Sequence, residues 1–162
     1  MTRIGVLSDT HLRGPDPLIE TIAKTQFHDV DLIIHAGDIT AASVLDPFHA
    51  LGKEVLAVCG NMDEASVAHH YPSMRTILIE NVTIGIIHGW GSPLGIRARI
   101  RGSFQDIDAL VYGHSHQSFC GREDGIFYFN PGSPTDSRFT NTKSIGIMTI
   151  TRGSIQGDII GL

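Results

Sequence analysis

Five apolar runs in this chain end abruptly, each at a short polar cluster. Arg3 to Leu7 stops at Asp9-Thr10-His11, and Asp31 to His35 stops at Gly37-Asp38. Glu54 to Val58 gives way to Gly60-Asn61-Met62-Asp63, Val82 to Ile87 to His88-Gly89, and Ala109 to Tyr112 to Gly113-His114-Ser115-His116. Short apolar stretches closed by glycine and polar residues predict buried strands. Two helix signals separate the first three. Asp16 to Gln26 carries Leu18, Ile19 and Ile22 at helical spacing behind an Asp-Pro start, and Ser43 to Leu51 is closed by Gly52. A β-α-β-α-β order favours parallel strands joined by right-handed crossovers.

The remainder is strand-rich. Thr76 to Glu80 and Val82 to Ile87 predict a tight hairpin around Glu80-Asn81, and Pro93 to Ser103 predicts a helix with Ile96, Ile100 and Phe104 on one face. Ile126 to Phe129, Ser144 to Ile150 and Ser154 to Ile160 predict further strands, the last two joined at Arg152-Gly153. An α/β chain with a mostly antiparallel second half is expected. At 162 residues, with no linker or repeat, residues 1–162 are expected to form one domain.

Composition narrows the function. There are 12 Lys+Arg against 17 Asp+Glu, a net charge of −5, which argues against a sequence-independent nucleic-acid binder. No apolar stretch reaches the ~18 residues of a membrane span, so no membrane partner is expected. Cys59 and Cys120 stand far apart with no metal-site spacing, and Met1-Thr2-Arg3 runs directly into the first strand without a signal-peptide layout. A cytoplasmic location is expected.

In open α/β sheets the carboxyl ends of strands converge and ligands bind there. The five clusters would therefore deliver two Asp, one Asn and four His to one place. Carboxylates, an amide oxygen and imidazoles suit Mn, Fe, Zn, Ni or Co. Seven ligands exceed one tetrahedral ion. They suit two ions roughly 3.5–4 Å apart that share a carboxylate, as in phosphoester hydrolysis. Gly37, Gly60, Gly89 and Gly113 adjoin the clusters, where the backbone must turn beside a crowded site.

The ordered set D-x-H, G-D, G-N, H-G and G-H-x-H resembles the calcineurin-like metallophosphoesterase superfamily, in particular its small prokaryotic YfcE-type phosphodiesterase branch. The resemblance extends to Asn130-Pro131-Gly132-Ser133. It implies a four-layer α-β-β-α sandwich of two mixed sheets with a dinuclear site along one edge. It implies Asp9, His11 and His116 as ligands of a first ion, Asp38 as the bridging carboxylate, and Asn61, His88 and His114 as ligands of a second. The same resemblance makes Asp38, Asn61 and His88 the catalytic set, with Mn favoured among the possible ions. A metal-bridging hydroxide would attack phosphorus in line.

Two positions depart from the wider pattern. Met62 stands where many relatives have a His thought to protonate or orient the leaving group, and a thioether donates no proton. Trp90 stands where a second His often follows H-G. Asp63 is a candidate leaving-group contact, and Trp90 could wall the pocket. The expected function is a metal-dependent phosphodiesterase acting on a small phosphate ester, with self-association open. The alternative is a non-catalytic interaction scaffold like the retromer subunit of this fold. A phosphomonoesterase or a nuclease ranks lower. Away from the motifs, His28, His49, His69 and His70 are read as surface residues. His35 is read as packing near the site, and Arg97, Arg99 and Arg101 as a solvated helix face.

Overall fold

The apolar runs become strands in the computed structural model, which describes residues 1–162. One sheet contains β1 (Thr2–Leu7), β2 (Leu32–His35), β3 (Glu54–Ala57), β9 (Ser144–Thr151) and β10 (Ser154–Gly161), in the order β10-β9-β1-β2-β3. The other contains β4 (Met74–Ile79), β5 (Val82–Ile87), β6 (Ala109–Tyr112), β7 (Phe119–Glu123) and β8 (Ile126–Asn130), in the order β4-β5-β6-β8-β7. Both sheets are mixed. β1, β2 and β3 run parallel and so do β5, β6 and β8, while β4, β7, β9 and β10 pair antiparallel.

Alternation along the strands sets the layers. Ile4 and Val6 of β1 join Ile34, Ile84, Ile86, Val111 and Phe129 in a core between the sheets. Leu7 faces the other way and packs with Ile33, Ile19, Ile22, Phe27 and Phe48 under α1 (Pro17–Lys24) and α2 (Asp46–Ala50). Gly5 shares that outer face, where a Cβ would sit 2.8 Å from the Phe27 ring. The second sheet buries Ile87, Leu110 and Tyr112 against Ile96 and Ile100 of α4 (Ile96–Arg101). Each fully buried aliphatic side chain contributes roughly 1.5–3 kcal/mol. The result is the expected four-layer α-β-β-α sandwich. No helix is long and apolar enough to cross a membrane.

The helix signals hold with adjustments. Asp16 caps α1, accepting from the Leu18 N–H at 2.8 Å, with Pro17 at the first helical position. The helix expected over Ser43 to Leu51 is split into a 3-10 turn at Ala42–Leu45 and α2, because Pro47 has no N–H to continue an α ladder. The helix expected over Pro93 to Ser103 shortens to α4, preceded by Gly95 at φ 72°. β7 and α3 (Ala65–His70) carry no strong periodic signal and were not expected. The second half is less antiparallel than its hairpins suggest, since α4 is the crossover between parallel β5 and β6.

Candidate metal centre

The loops after β1, β2, β5 and β6 bring five of the seven predicted ligands into one cluster. Asp9 Oδ1 lies 3.4 Å from His116 Nε2, 3.8 Å from His88 Nε2 and 3.9 Å from His11 Nε2. Asp38 Oδ2 lies 3.2 Å from His88 Nε2 and 3.6 Å from His11 Nε2. Two ion-sized groups result, Asp9 with His11 and His116, and Asp9 with Asp38 and His88. The other two predicted ligands pair at the rim, His114 Nδ1 lying 3.1 Å from Asn61 Oδ1. The His114 ring stands edge-on to His88 at 5.3 Å.

Proton positions follow from the partners. A carbonyl cannot donate, so the His88 Nδ1 that meets the Ala36 carbonyl at 2.8 Å carries a proton. In the neutral ring, Nε2 is then a lone pair. That atom is buried and faces two carboxylates, Asp38 at 3.2 Å and Asp9 at 3.8 Å, and in the protonated ring it donates to Asp38. His114 repeats the pattern, its Nε2 donating to the Gly91 carbonyl at 2.8 Å and its Nδ1 meeting an amide oxygen. His11 and His116 oppose Nε2 to Nε2 at 3.1 Å. The contacts of His88 with the carboxylates, of His11 with His116 and of His114 with Asn61 each call for a proton or a cation between the two atoms. Carboxylates, imidazole lone pairs and an amide oxygen are a donor set for divalent ions, so these residues fit the metal that the sequence implies.

Local backbone strain aims these side chains. Asp9, His11, Asp38, Thr40, His114 and His116 all have φ between 49° and 76°, the left-handed region. Each costs on the order of 1 kcal/mol. Cross-loop bonds hold the strained turns, with the His11 N–H donating to Asp38 O at 3.0 Å and the Ser133 hydroxyl to Asp9 O at 2.7 Å. Ser8 Oγ and the His114 N–H donate to Asp9 Oδ2 at 2.5 and 3.0 Å, and the Met62 N–H donates to Asp38 Oδ1 at 2.8 Å. The Asn130–Ser133 turn lies beneath the site, where Asn130 Nδ2 donates to the Gly113 carbonyl at 3.0 Å.

The electrostatics follow the geometry. Burial would lower the His88 pKa, but the hydrogen bond to Asp38 and the charges of both carboxylates raise it to about 8. Burial raises Asp38, yet the hydrogen bond and charge of His88 and the Met62 N–H outweigh it, leaving its pKa below the usual value. His11 is lowered, chiefly by burial.

A cleft of about 380 Å³ opens over the cluster, its walls including His11, Asp38, Asn61, His114, His116 and Met62. Asp63 and Trp90 are not among its walls. Asp63 accepts from the Thr40 and Gly60 N–H groups at 2.6 and 2.7 Å, and burial raises its pKa. Trp90 lines a separate depression with Ser73 and Met74. His28, His49, His69 and His70 are exposed as expected, while His35 is wholly buried. The three arginines of α4 are part-exposed, and each is also tethered: Arg97 to Glu123, Arg99 to the Ser92 carbonyl and Arg101 to the Phe104 carbonyl. Sequence reasoning missed Asp136, Arg138 and Phe139, which follow the Asn130–Ser133 turn. Its place beneath the site was the available signal that the next residues emerge at the rim.

Known proteins share this architecture. The family model for the calcineurin-like phosphoesterase superfamily domain matches residues 2–153. A probable metallophosphoesterase of Methanothermobacter thermautotrophicus is 36% identical over 163 residues, covering 97% of this chain and 91% of the relative. A phosphodiesterase of Methanocaldococcus jannaschii is 25% identical over 160 residues, covering 90% of this chain and 92% of the relative. Among solved structures, zinc-bound Vps29 of Entamoeba histolytica superposes with a TM-score of 0.74 at 22% identity, covering 99% of both chains, which is a likeness of fold. The family match runs from β1 to the turn of the last hairpin, and the chain belongs to the calcineurin-like phosphoesterase superfamily.

Proposed function

We propose that this chain is a phosphodiesterase that holds two divalent ions, Mn²⁺ favoured, and hydrolyses a small phosphate ester. The observation that carries the reading is the pair of ion-sized groups, Asp9 with His11 and His116 and Asp9 with Asp38 and His88, beside the rim pair His114 and Asn61. Asp9, His11 and His116 would hold one ion and Asn61, His88 and His114 the other, with Asp38 between them. The chemistry such ions supply is acidification of a water and neutralisation of charge on phosphoryl oxygens. The chain's part is positioning. The Ala36 carbonyl fixes the His88 tautomer, the Met62 N–H fixes Asp38, and the cleft size suits a small ester. The phosphodiesterase of Methanocaldococcus jannaschii supports the choice of ester class.

The wall residue after Asn61 is Met62, which has no proton to give, and both Asp63 oxygens are engaged by backbone N–H groups. A leaving group must therefore depart with little help from this part of the chain, so aryl esters outpace alkyl esters. The test is Mn²⁺-dependent hydrolysis of bis-p-nitrophenyl phosphate beside p-nitrophenyl phosphate and an alkyl aryl diester. Asp38→Asn and His88→Ala are expected to lose at least about a hundredfold in kcat/KM. Full activity in Asp38→Asn would sink the two-ion reading. The second reading is an interaction scaffold on the same fold, favoured by the exposed Leu78 and Leu94. Absence of hydrolysis with every divalent metal would select it.

A further inference from the structure

Among the walls of the cleft, Arg138 is the one Lys or Arg side chain. It stands on a strap tied to the site from below. The Thr135 hydroxyl donates to the Thr10 carbonyl at 2.6 Å, and the Asp136 N–H donates to Ser133 Oγ at 2.9 Å. Asp136 places one oxygen 3.5 Å from His116 Nδ1, and the Phe139 ring stands edge-on to His116 at 5.1 Å. The Arg138 guanidinium is held by the same carboxylate. Nε donates to Asp136 Oδ1 and Oδ2 at 3.0 and 2.8 Å, and Nη2 donates to Oδ2.

That grip uses one edge of the guanidinium. Nη1 makes no hydrogen bond within the chain, and the side chain is 65% exposed. Asp136 is only 9% exposed, and one edge of the guanidinium is enough to neutralise it. The pair also fixes a planar donor group whose second edge is free, and a guanidinium edge matches a phosphate in geometry and charge. We propose that Arg138 is a substrate-binding residue, whose free Nη1 edge donates to a non-bridging oxygen of the phosphate bound in the cleft, with Asp136 as the residue that positions it. The assignment rests on the phosphoesterase reading for its substrate and adds a cation that no motif marked.

The test uses the full chain with Mn²⁺ and two probes, inorganic phosphate followed by calorimetry and bis-p-nitrophenyl phosphate followed by rate. Arg138→Gln is expected to weaken phosphate binding by about tenfold or more and to raise KM in step, the loss of a charge-assisted hydrogen bond. Its kcat is expected to stay within about threefold of wild type and its Mn²⁺ affinity within about twofold. Arg138→Lys is expected to recover part of the phosphate affinity. Phosphate affinity of Arg138→Gln equal to wild type would overturn the proposal. So would Mn²⁺ affinity falling as far as phosphate affinity, since Arg138 would then act through Asp136 on His116. The two readings fail separately. If wild type binds phosphate through Arg138 but hydrolyses no ester, the phosphodiesterase reading falls and the assignment stands. If esters turn over while Arg138→Gln leaves KM and phosphate binding unmoved, the reverse holds.

Discussion

His35 ends β2 beside the metal cluster yet belongs to none of the ligand groups. Its Nε2 meets the Thr10 hydroxyl at 3.2 Å, and its Nδ1 is buried without a partner. Burial outweighs the pull of Asp9 and lowers its pKa to about 3. In the unfolded chain the pKa is about 6.5. Between those values the unfolded state binds a proton that the folded state refuses. Stability is therefore lost as pH falls below about 6.5, by roughly 1.4 kcal/mol per unit, until the folded pKa is reached. In chelator, urea unfolding of wild type is expected to weaken by about 2 kcal/mol from this residue between pH 6.5 and 5. His35→Gln, which keeps a partner for Thr10, is expected to flatten that slope by about one proton. An unchanged slope would assign the titration elsewhere. The sequence marked His35 as a packing residue near the site. Its complete burial depends on the helical layer above β2, which no local pattern reveals.

The elements that deliver the ligands end in two kinds of glycine. Gly37 and Gly89 have φ of 91° and 100° and serve the turn itself. Gly60 and Gly113 do not adopt positive φ and serve a second purpose, close approach. A Cβ on Gly113 would lie 1.8 Å from Ser8 Oγ and 2.7 Å from Asp9 Oδ2, and one on Gly60 would lie 2.2 Å from Asp38 Oδ1. Gly113→Ala is therefore expected to displace Asp9, weakening Mn²⁺ binding by about tenfold or more and stability by about 1–3 kcal/mol. Gly14→Ala, with nothing within 4 Å, is the neutral control. Metal titration and urea unfolding of both check this, and wild-type metal affinity in Gly113→Ala would refute the crowding. At this scale much was legible. β4 with β5 and β9 with β10 showed alternating or apolar runs joined by obvious turns, and the ligand clusters sat at strand ends. β7 was not legible, because Phe119-Cys120-Gly121-Arg122-Glu123 carries little strand preference and exists by pairing with β8. α3 was missed for a similar reason, since it buries one residue, Val67, against the first sheet. The rim residues Asp136, Arg138 and Phe139 were missed because a loop that folds back over a site leaves no periodic trace.

Across the whole molecule, the cluster joins the two halves of the sandwich. Asp9, His11 and Asp38 come from the sheet built on β1, while His88 and His116 come from the sheet built on β5 and β6. Elsewhere the sheets meet through apolar side chains such as Ile4, Val6, Ile86 and Val111. At this edge they meet through facing anions and lone pairs, which repel without a cation or proton. The net charge of −5 is the wrong scale for judging the substrate, because two divalent ions would outweigh the two carboxylates locally. It also sharpens a stability expectation. Ions that bind only the folded chain stabilise it by mass action, about 2.7 kcal/mol at a hundred times Kd. For a chain of this size that is a rise in Tm of roughly 5–10 °C. Tm is therefore expected to climb with the logarithm of Mn²⁺ concentration and to fall back when chelator is added. Asp38→Asn removes a ligand and also the carboxylate that holds the His88 proton, so its metal-free Tm is expected to fall at neutral pH and its metal response to shrink. The size of the metal-induced rise in Tm therefore tests the clamp, since a simple loss of packing would lower Tm with and without metal by the same amount. A wild-type Tm indifferent to millimolar Mn²⁺, Zn²⁺, Ni²⁺ and Co²⁺ alike would remove the ions from the seam, and with them the proposed chemistry.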